Sequence, residues 1–127
     1  YIVIGVNTDK ARAYDAARMR DAIERSVAEA GLGNCTVCVH TGLTAAFAGE
    51  VGADYLVRGL RNSLDYGYEE NIAAVNKLLR PALETVYFRA DRAAVSASMV
   101  RELRRFGESA SAYVPPAVLA ALDACEK

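Results

Sequence analysis

Short apolar runs alternate with amphipathic segments along the whole chain. The runs near residues 2–6, 36–39, 55–57 and 85–88 are brief and rich in valine and other strand-favouring residues, which is typical of buried strands. The segments between them repeat apolar residues at the spacing of one helical face, and several end at glycine or proline. Helices are therefore predicted at residues 16–30, 43–51, 65–79 and 98–106, and after Pro115 and Pro116.

The order of these elements predicts an α/β fold. Strand followed by helix, repeated, gives a parallel sheet with helices on both faces. No linker, repeat or low-complexity run interrupts the pattern, so residues 1–127 are predicted to form a single domain. Ligands of such sheets bind beyond the carboxyl ends of the strands. The loops expected to share that rim are residues 7–10, 40–44, 58–61 and 89–98.

The charge balance narrows the classes of partner. The 127 residues carry a formal net charge of -1, without the basic excess that favours a nucleic-acid backbone. No apolar run approaches the length of about 20 residues that crosses a bilayer, and no signal-peptide pattern is present. We therefore expect a soluble cytoplasmic protein with neither nucleic acid nor membrane among its partners.

Three cysteines and a single histidine are the candidate redox or metal residues. Cys35 and Cys38 have C-x-x-C spacing, but the segment from Cys35 to Val39 is predicted as a strand, which sends residues three apart to opposite faces. We therefore predict structural thiols, and Cys125 leaves the set odd. His40 ends the same strand with no second ligand at metal-binding spacing, so no metal role is predicted for it.

The strongest chemical signal is a pair of arginines, Arg58 and Arg61, on either side of Gly59. The pair is predicted to lie in a turn that leads from a strand into a helix. Guanidinium groups stay charged and present forked donors that match phosphate oxygens, so the turn predicts a phosphate site. Gly59 has no Cβ atom and would let the main chain approach a ligand closely. The simpler alternative is that both arginines pair with Asp65 or Glu69.

Several further segments accompany the two arginines. They are residues 57–61 (VRGLR), 65–69 (DYGYE), Asn76, 83–88 (LETVYF), 95–102 (VSASMVRE) and 113–116 (YVPP). Together these residues resemble the bacterial phosphopantetheine adenylyltransferases of the nucleotidyltransferase superfamily. The resemblance covers essentially the whole chain and implies a Rossmann-like sheet.

The resemblance also implies a reaction. Such enzymes transfer AMP from ATP to 4'-phosphopantetheine, giving dephospho-coenzyme A and pyrophosphate in coenzyme A biosynthesis, with Mg2+ as cofactor. One phosphate attacks the α-phosphorus of ATP in line, which relies on positioning and charge neutralisation. A hexamer and coenzyme A as feedback ligand are implied as well.

Residue roles are carried over from the family one position at a time. The residues expected to be catalytic are Lys10, Arg58 and Arg61. The residues expected to bind the phosphopantetheine side are Lys10, Thr44, Arg58 and Asn76. The residues expected to bind ATP are Gly59, Leu60, Arg61, Glu69, Val95, Ser96, Ala97 and Ser98.

Simpler roles stay open for four of these positions. An ordinary solvated side chain also accounts for Lys10. A carboxylate favoured by the amino end of a helix also accounts for Glu69. Helix capping also accounts for Ser96 and Ser98, although the N–H groups of a helix start suit an anion too.

The chain departs from the family pattern at several places. Ala97 stands where a serine is usual, Gly67 where an acidic residue is common, and Thr44 where an apolar side chain is usual. Residues 90–94, which lie over the adenine in the family, look shorter than usual. The adenine pocket is therefore expected to differ.

The opening motif of the family is not among these 127 residues. That motif comprises a strand, a Gly-Thr/Ser-Phe-Asp-Pro turn and a [TH]-x-Gly-His segment that binds the ATP phosphates. Without the strand, backbone groups on two internal sheet edges stay unpaired, so these residues alone are expected neither to fold nor to be active. We expect a preceding segment in the natural protein, or else a strand from a second copy.

Two other functions stay open on the sequence alone. A sister nucleotidyltransferase with another acceptor, such as nicotinate mononucleotide or a cytidylyltransferase substrate, fits Thr44, Gly67 and the short loop. A non-catalytic nucleotide- or coenzyme A-binding remnant, or an oligomer-forming scaffold, fits Ala97 and the absent motif. Against a remnant, a chain freed from catalysis has no folding reason to keep two unpaired arginines beside a ligand rim.

Overall fold

The computed structural model describes residues 1–5 and 15–125. These residues gather in two compact units, Tyr1–Thr41 with Val100–Lys127, and Gly42–Met99. No helix in the described ranges is both long and apolar enough to cross a membrane. The elements are β1 (Ile2–Gly5), α1 (Ala16–Glu29), β2 (Val37–His40), α2 (Thr44–Glu50), β3 (Tyr55–Leu60), α3 (Ser63–Leu79), β4 (Glu84–Arg89), α4 (Ala97–Arg105) and α5 (Pro116–Cys125).

The first unit is built on a parallel pair of strands. β1 pairs with β2, and the last residues of the two strands, Gly5 and His40, are partners in the register. α1 packs against both β2 and α5. Arg18 of α1 donates a hydrogen bond of 3.1 Å from Nη1 to the Sγ atom of Cys125, which ties the two helices together.

The second unit contains another parallel pair. β3 pairs with β4 along its whole length, from Tyr55 opposite Glu84 to Leu60 opposite Arg89. α3 packs on both strands and on α2. Small side chains let α2 approach closely, and the core consists of Ala45, Ala48 and Leu83, with Ala53 and Leu56 packed against them.

The two faces of the β3–β4 pair differ in character, because successive side chains of a strand point to opposite sides. The face toward α3 carries Arg58 and Tyr87, which are partners in the register and both bond to α3. The opposite face carries four exposed apolar side chains, Tyr55, Val57, Val86 and Phe88.

The structure confirms the predicted α/β class and its parallel strands. Every predicted helix and strand is present with ends shifted by a few residues, although residue 6 of the first strand lies outside the described part. Among the described residues, the strands form two two-stranded ladders. The assignment of residues 1–127 to a single domain stays a prediction.

The cysteine-bearing strand starts later than predicted. β2 begins at Val37, because the ladder with β1 starts there and Cys35 lies ahead of it. Cys35, Cys38 and Cys125 are all half-buried free thiols. Within the described ranges, no group of three His, Cys, Asp or Glu side chains could hold a metal ion.

Candidate active site

Arg58 lies inside β3, and only Arg61 and Asn62 occupy the turn that leads to α3. The prediction that Arg58 and Gly59 lie in this turn is wrong, because β3 stays paired with β4 beyond both residues. The strand fixes the direction of Arg58. It leaves the sheet beside Tyr87, on the face that α3 covers.

Arg58 forms a bidentate ion pair with Glu69 of α3. Its Nε donates to Glu69 Oε2 and its Nη2 donates to Oε1, both at 2.7 Å. The side chain of Glu69 is 11% exposed, whereas that of Arg58 is 49% exposed. The hydrogen bonds to Glu69 raise the pKa of Arg58 above its ordinary value, although burial opposes them. The carboxylate is thus buried while part of the guanidinium faces solvent.

One turn earlier on α3, Asp65 holds Arg61 in a similar way. Arg61 donates to Asp65 Oδ2 from Nε at 2.8 Å and from its main-chain N–H at 3.1 Å, and to Oδ1 from Nη2 at 3.1 Å. These bonds lower the pKa of Asp65 and raise the pKa of Arg61. Asn62 completes the turn, because its Oδ1 accepts a bond of 2.9 Å from the Asp65 N–H and caps α3.

Both arginines are therefore paired with carboxylates, as the simpler alternative stated. The premise that they are unpaired is wrong, because each takes part in an ion pair. Donors nevertheless remain: in the described part of the chain, Nη1 of Arg58 and Nη1 of Arg61 make no hydrogen bond to protein. Anionic oxygens can therefore bind the outer ends of both guanidiniums while both ion pairs stay intact.

The two other residues expected on the pantetheine side lie in different settings. Asn76 is buried on α3, two helical turns after Glu69 and on the same face. Thr44 is exposed at the first residue of α2. Within the described ranges, no hydrogen bond joins Thr44 to Arg58. The structure thus places Asn76, but not Thr44, on the helical face that carries the carboxylate of the arginine pair.

The loop after β4 leaves the sheet at the same edge as Arg61, because β3 and β4 end opposite each other. Two of the four loops predicted to share a rim are therefore adjacent. In this loop Ser96 Oγ accepts a bond of 3.1 Å from the Met99 N–H, which confirms the helix-capping role of Ser96. Val95 is half-buried ahead of the cap, while Ala97 and Ser98 are exposed in the first turn of α4.

Similar curated proteins are named phosphopantetheine adenylyltransferase. One from Levilactobacillus brevis is 38% identical over 125 residues, which cover 97% of this chain and 76% of that relative. The chain belongs to the phosphopantetheine adenylyltransferase family. A relative from Latilactobacillus sakei is 40% identical over 127 residues, with 96% of this chain and 76% of the relative covered. No protein-family model matches the chain.

The family membership confirms the resemblance inferred from the motifs. A further phosphopantetheine adenylyltransferase, from Limosilactobacillus reuteri, is 42% identical over 97 residues, or 75% of this chain and 56% of that relative. Lys10, the third residue expected to be catalytic in such an enzyme, lies outside the described residues. Its role stays a prediction.

Sequence reasoning missed the residues that flank Arg58 in this adenylyltransferase. Tyr87 donates a hydrogen bond of 2.8 Å to Glu70 Oε2, and its ring meets Tyr66 edge to face with centroids 5.7 Å apart. Burial and the bond to Glu70 raise the pKa of Tyr87 to about 12. Strand alternation could have placed Tyr87 beside Arg58, but nothing in the sequence says which carboxylate each one meets.

A cavity of about 250 Å³ lies between α3 and β4 of this adenylyltransferase. Tyr87 lines it together with Ala73, Leu83 and the ion pair of Lys77 with Glu84. Neither arginine of the candidate site lines the cavity. The cavity is therefore separate from the candidate phosphate site at the arginines.

Proposed function

We propose that this protein transfers AMP from ATP to 4'-phosphopantetheine, giving dephospho-coenzyme A and pyrophosphate in coenzyme A biosynthesis. The observation that carries the proposal is the 38% identity to a phosphopantetheine adenylyltransferase over 97% of the chain. The paired arginines support it, because Arg58 near the end of β3 and Arg61 just after it keep cationic donors exposed close to the rim where ligands of α/β folds bind.

For this reaction the protein must bind two polyanions, ATP and 4'-phosphopantetheine, next to each other. In the proposed arrangement, Arg58 holds the phosphate of 4'-phosphopantetheine and Arg61 holds ATP. Reduced repulsion and correct alignment then favour in-line attack on the α-phosphorus. Lys10 is proposed to contact the same phosphates. Thr44 and Asn76 are proposed to line the pantetheine side, and the nucleotide side is proposed to include Gly59, Leu60, Val95, Ser96, Ala97 and Ser98.

Mg2+ is proposed as a cofactor from the resemblance alone. The described residues do not fit a protein-built magnesium site, since Asp65 and Glu69 are engaged by guanidiniums and no group of three metal-ligating side chains is present among them. The proposal is therefore that the ion arrives on the phosphates of ATP, as Mg2+ commonly does. Loss of activity on chelation, restored by added Mg2+, is the expected result.

We also propose a homo-oligomer, a hexamer by resemblance, that acts in the cytoplasm and binds coenzyme A as a feedback ligand. An exposed apolar stripe on α3 supports self-association, because large apolar patches mark interaction surfaces. Light scattering of the full-length protein tests the assembly, and a mass of one subunit would contradict it. The residues of the stripe are Leu64, Tyr68, Val75 and Leu78.

The proposed reaction is tested by pyrophosphate release from the full-length natural protein. We expect release with ATP and 4'-phosphopantetheine together, and none with either alone. Nicotinate mononucleotide serves as the competing acceptor. Turnover with that acceptor and none with 4'-phosphopantetheine would identify a sister nucleotidyltransferase, and nucleotide binding without turnover on any acceptor would identify a binding remnant.

A further inference from the structure

Glu69 has two neighbours that define its role. Its two carboxylate oxygens each accept one hydrogen bond from Arg58, on the Nε and Nη2 edge. The adjacent carboxylate, Glu70, turns to Tyr87 instead. The family resemblance places Glu69 on the nucleotide side, whereas this geometry connects it to the arginine proposed to hold the other substrate.

We infer that Glu69 is a positioning residue that acts through Arg58 on the phosphate of 4'-phosphopantetheine. The inference rests on the proposed function for the identity of the substrate. Glu69 thus affects the affinity for the phosphopantetheine substrate more than the affinity for ATP. Its carboxylate does not need to contact either substrate.

The guanidinium is well suited to be held in this way. Its five N–H donors lie in one plane, and Glu69 takes two of them from one edge. Two hydrogens of Nη1 and one of Nη2 remain, and one from each nitrogen form a fork that matches two phosphate oxygens. An arginine side chain is otherwise flexible, so an anchored one loses less freedom when the phosphate binds.

The burial of Glu69 makes it an effective anchor. Its side chain is 11% exposed and sits on the rigid helix α3, so its oxygens are fixed before the substrate arrives. A negative charge close to a phosphate site also weakens anion binding. Positioning and repulsion therefore predict opposite changes when the charge of Glu69 is removed.

The test compares Glu69→Gln with Glu70→Gln in the full-length protein. Glu69→Gln keeps the shape of the side chain but removes the charge and half of the acceptor pair, so we expect KM for 4'-phosphopantetheine to rise about tenfold. We expect KM for ATP to change much less. Glu70→Gln is the matched control, since it alters a neighbouring carboxylate that bonds only to Tyr87, and it should leave both constants unchanged.

A double-mutant cycle shows whether the effect passes through Arg58. In the Arg58→Gln background, Glu69→Gln should raise KM for 4'-phosphopantetheine no further. A rise in KM for ATP at least as large would mean that Glu69 contacts the nucleotide, and would overturn the inference. A fall in KM for 4'-phosphopantetheine would overturn it as well, because the carboxylate would then act only as a competitor for Arg58.

Nuclear magnetic resonance separates this inference from the proposed function. The Arg58 Nε–H resonance should exchange slowly with water in the wild-type protein and in Glu70→Gln, and rapidly in Glu69→Gln. Rapid exchange in the wild type would refute positioning even if the enzyme is active. If exchange is slow but the protein makes no dephospho-coenzyme A, then Glu69 does anchor Arg58. That result would refute the proposed reaction and substrate instead.

Discussion

Arg58 and Tyr87 face each other across the β3–β4 ladder, and each is bonded to a different one of two successive carboxylates on α3. Glu69 accepts hydrogen bonds from the arginine, and Glu70 accepts one from the tyrosine. Successive residues of a helix point about 100° apart, so the helix needs to lie across both strands for both bonds to form. The two bonds therefore join α3 to both strands of the pair, and of the two only the bond of Glu69 involves a residue of the candidate phosphate site.

The two arginines are expected to serve different substrates. Arg58→Lys should weaken the binding of 4'-phosphopantetheine, and Arg61→Lys should weaken the binding of ATP. In both cases the lysine ammonium keeps the charge but loses the planar fork of donors. The loss of one charge-assisted hydrogen bond corresponds to about 1.5–3 kcal/mol, roughly ten- to a hundredfold in affinity. Isothermal titration of each variant with each substrate measures the split, and two variants that weaken both substrates equally would contradict it.

Tyr87 is expected to ionise late and to make stability depend on alkaline pH. Its folded pKa of about 12 lies above the ordinary value of 10.0, so the folded state favours the protonated phenol. That stabilisation is complete below pH 10.0 and is lost as the pH rises toward 12. Tyr87→Phe should remove the late component of a tyrosinate absorbance titration and flatten the fall in unfolding free energy over this range.

Glu70→Gln refines the Tyr87 prediction. Burial is the largest cause of the raised pKa and the bond to Glu70 is the second. Removing the charge of Glu70 should therefore lower the midpoint of Tyr87 only part of the way to 10.0. A midpoint that returns fully to the ordinary value would show that the carboxylate, and not burial, sets the titration.

The sequence was sufficient to predict the order of elements, but not the exact end of β3. Apolar periodicity located the strands and helices because burial of one face is a local requirement. The end of β3 was misplaced because residues 58–60 contain a charge and a glycine, both unfavourable in a strand. The partner strand β4 outweighs that preference by continuing the ladder to Arg89.

The sequence named the carboxylate partners of Arg58 and Arg61 but did not show the geometry of the pairing. Helical spacing put Asp65 and Glu69 on one face, and the pairing was recognised as an alternative to phosphate binding. In the structure each carboxylate bonds to one edge of a guanidinium, so ion pairing leaves other donors of both arginines available. Helical spacing does not show which donor atoms stay available, so the sequence alone presents ion pairing and phosphate binding as alternatives.

Ser96 allows the capping role to be separated from nucleotide binding. Ser96→Asp keeps a side-chain acceptor for the Met99 N–H, so the unfolding free energy should stay close to that of the wild type. Ser96→Ala should lower the unfolding free energy by about 1 kcal/mol, the usual effect of a lost helix cap. If this loop binds ATP as proposed, the new negative charge in Ser96→Asp should also weaken the binding of ATP by repulsion. Unchanged ATP affinity in Ser96→Asp would place the nucleotide elsewhere.

The core of the second unit is expected to depend on Leu83. This side chain is 2% exposed and packs on Ala45 and Ala48, which are too small to fill the space that a truncation would leave. Leu83→Ala should therefore lower the unfolding free energy by about 2–5 kcal/mol. Leu78→Ala is the matched control, because Leu78 is 84% exposed on α3 and its loss should change the unfolding free energy by less than about 0.5 kcal/mol in a single subunit. Denaturant unfolding measures both values.

Leu83 also precedes the strand that carries Tyr87, so the same variant should loosen the α3–β4 contact and weaken 4'-phosphopantetheine binding. A destabilised variant with unchanged affinity would show that the site is held by the Arg58–Glu69 pair alone.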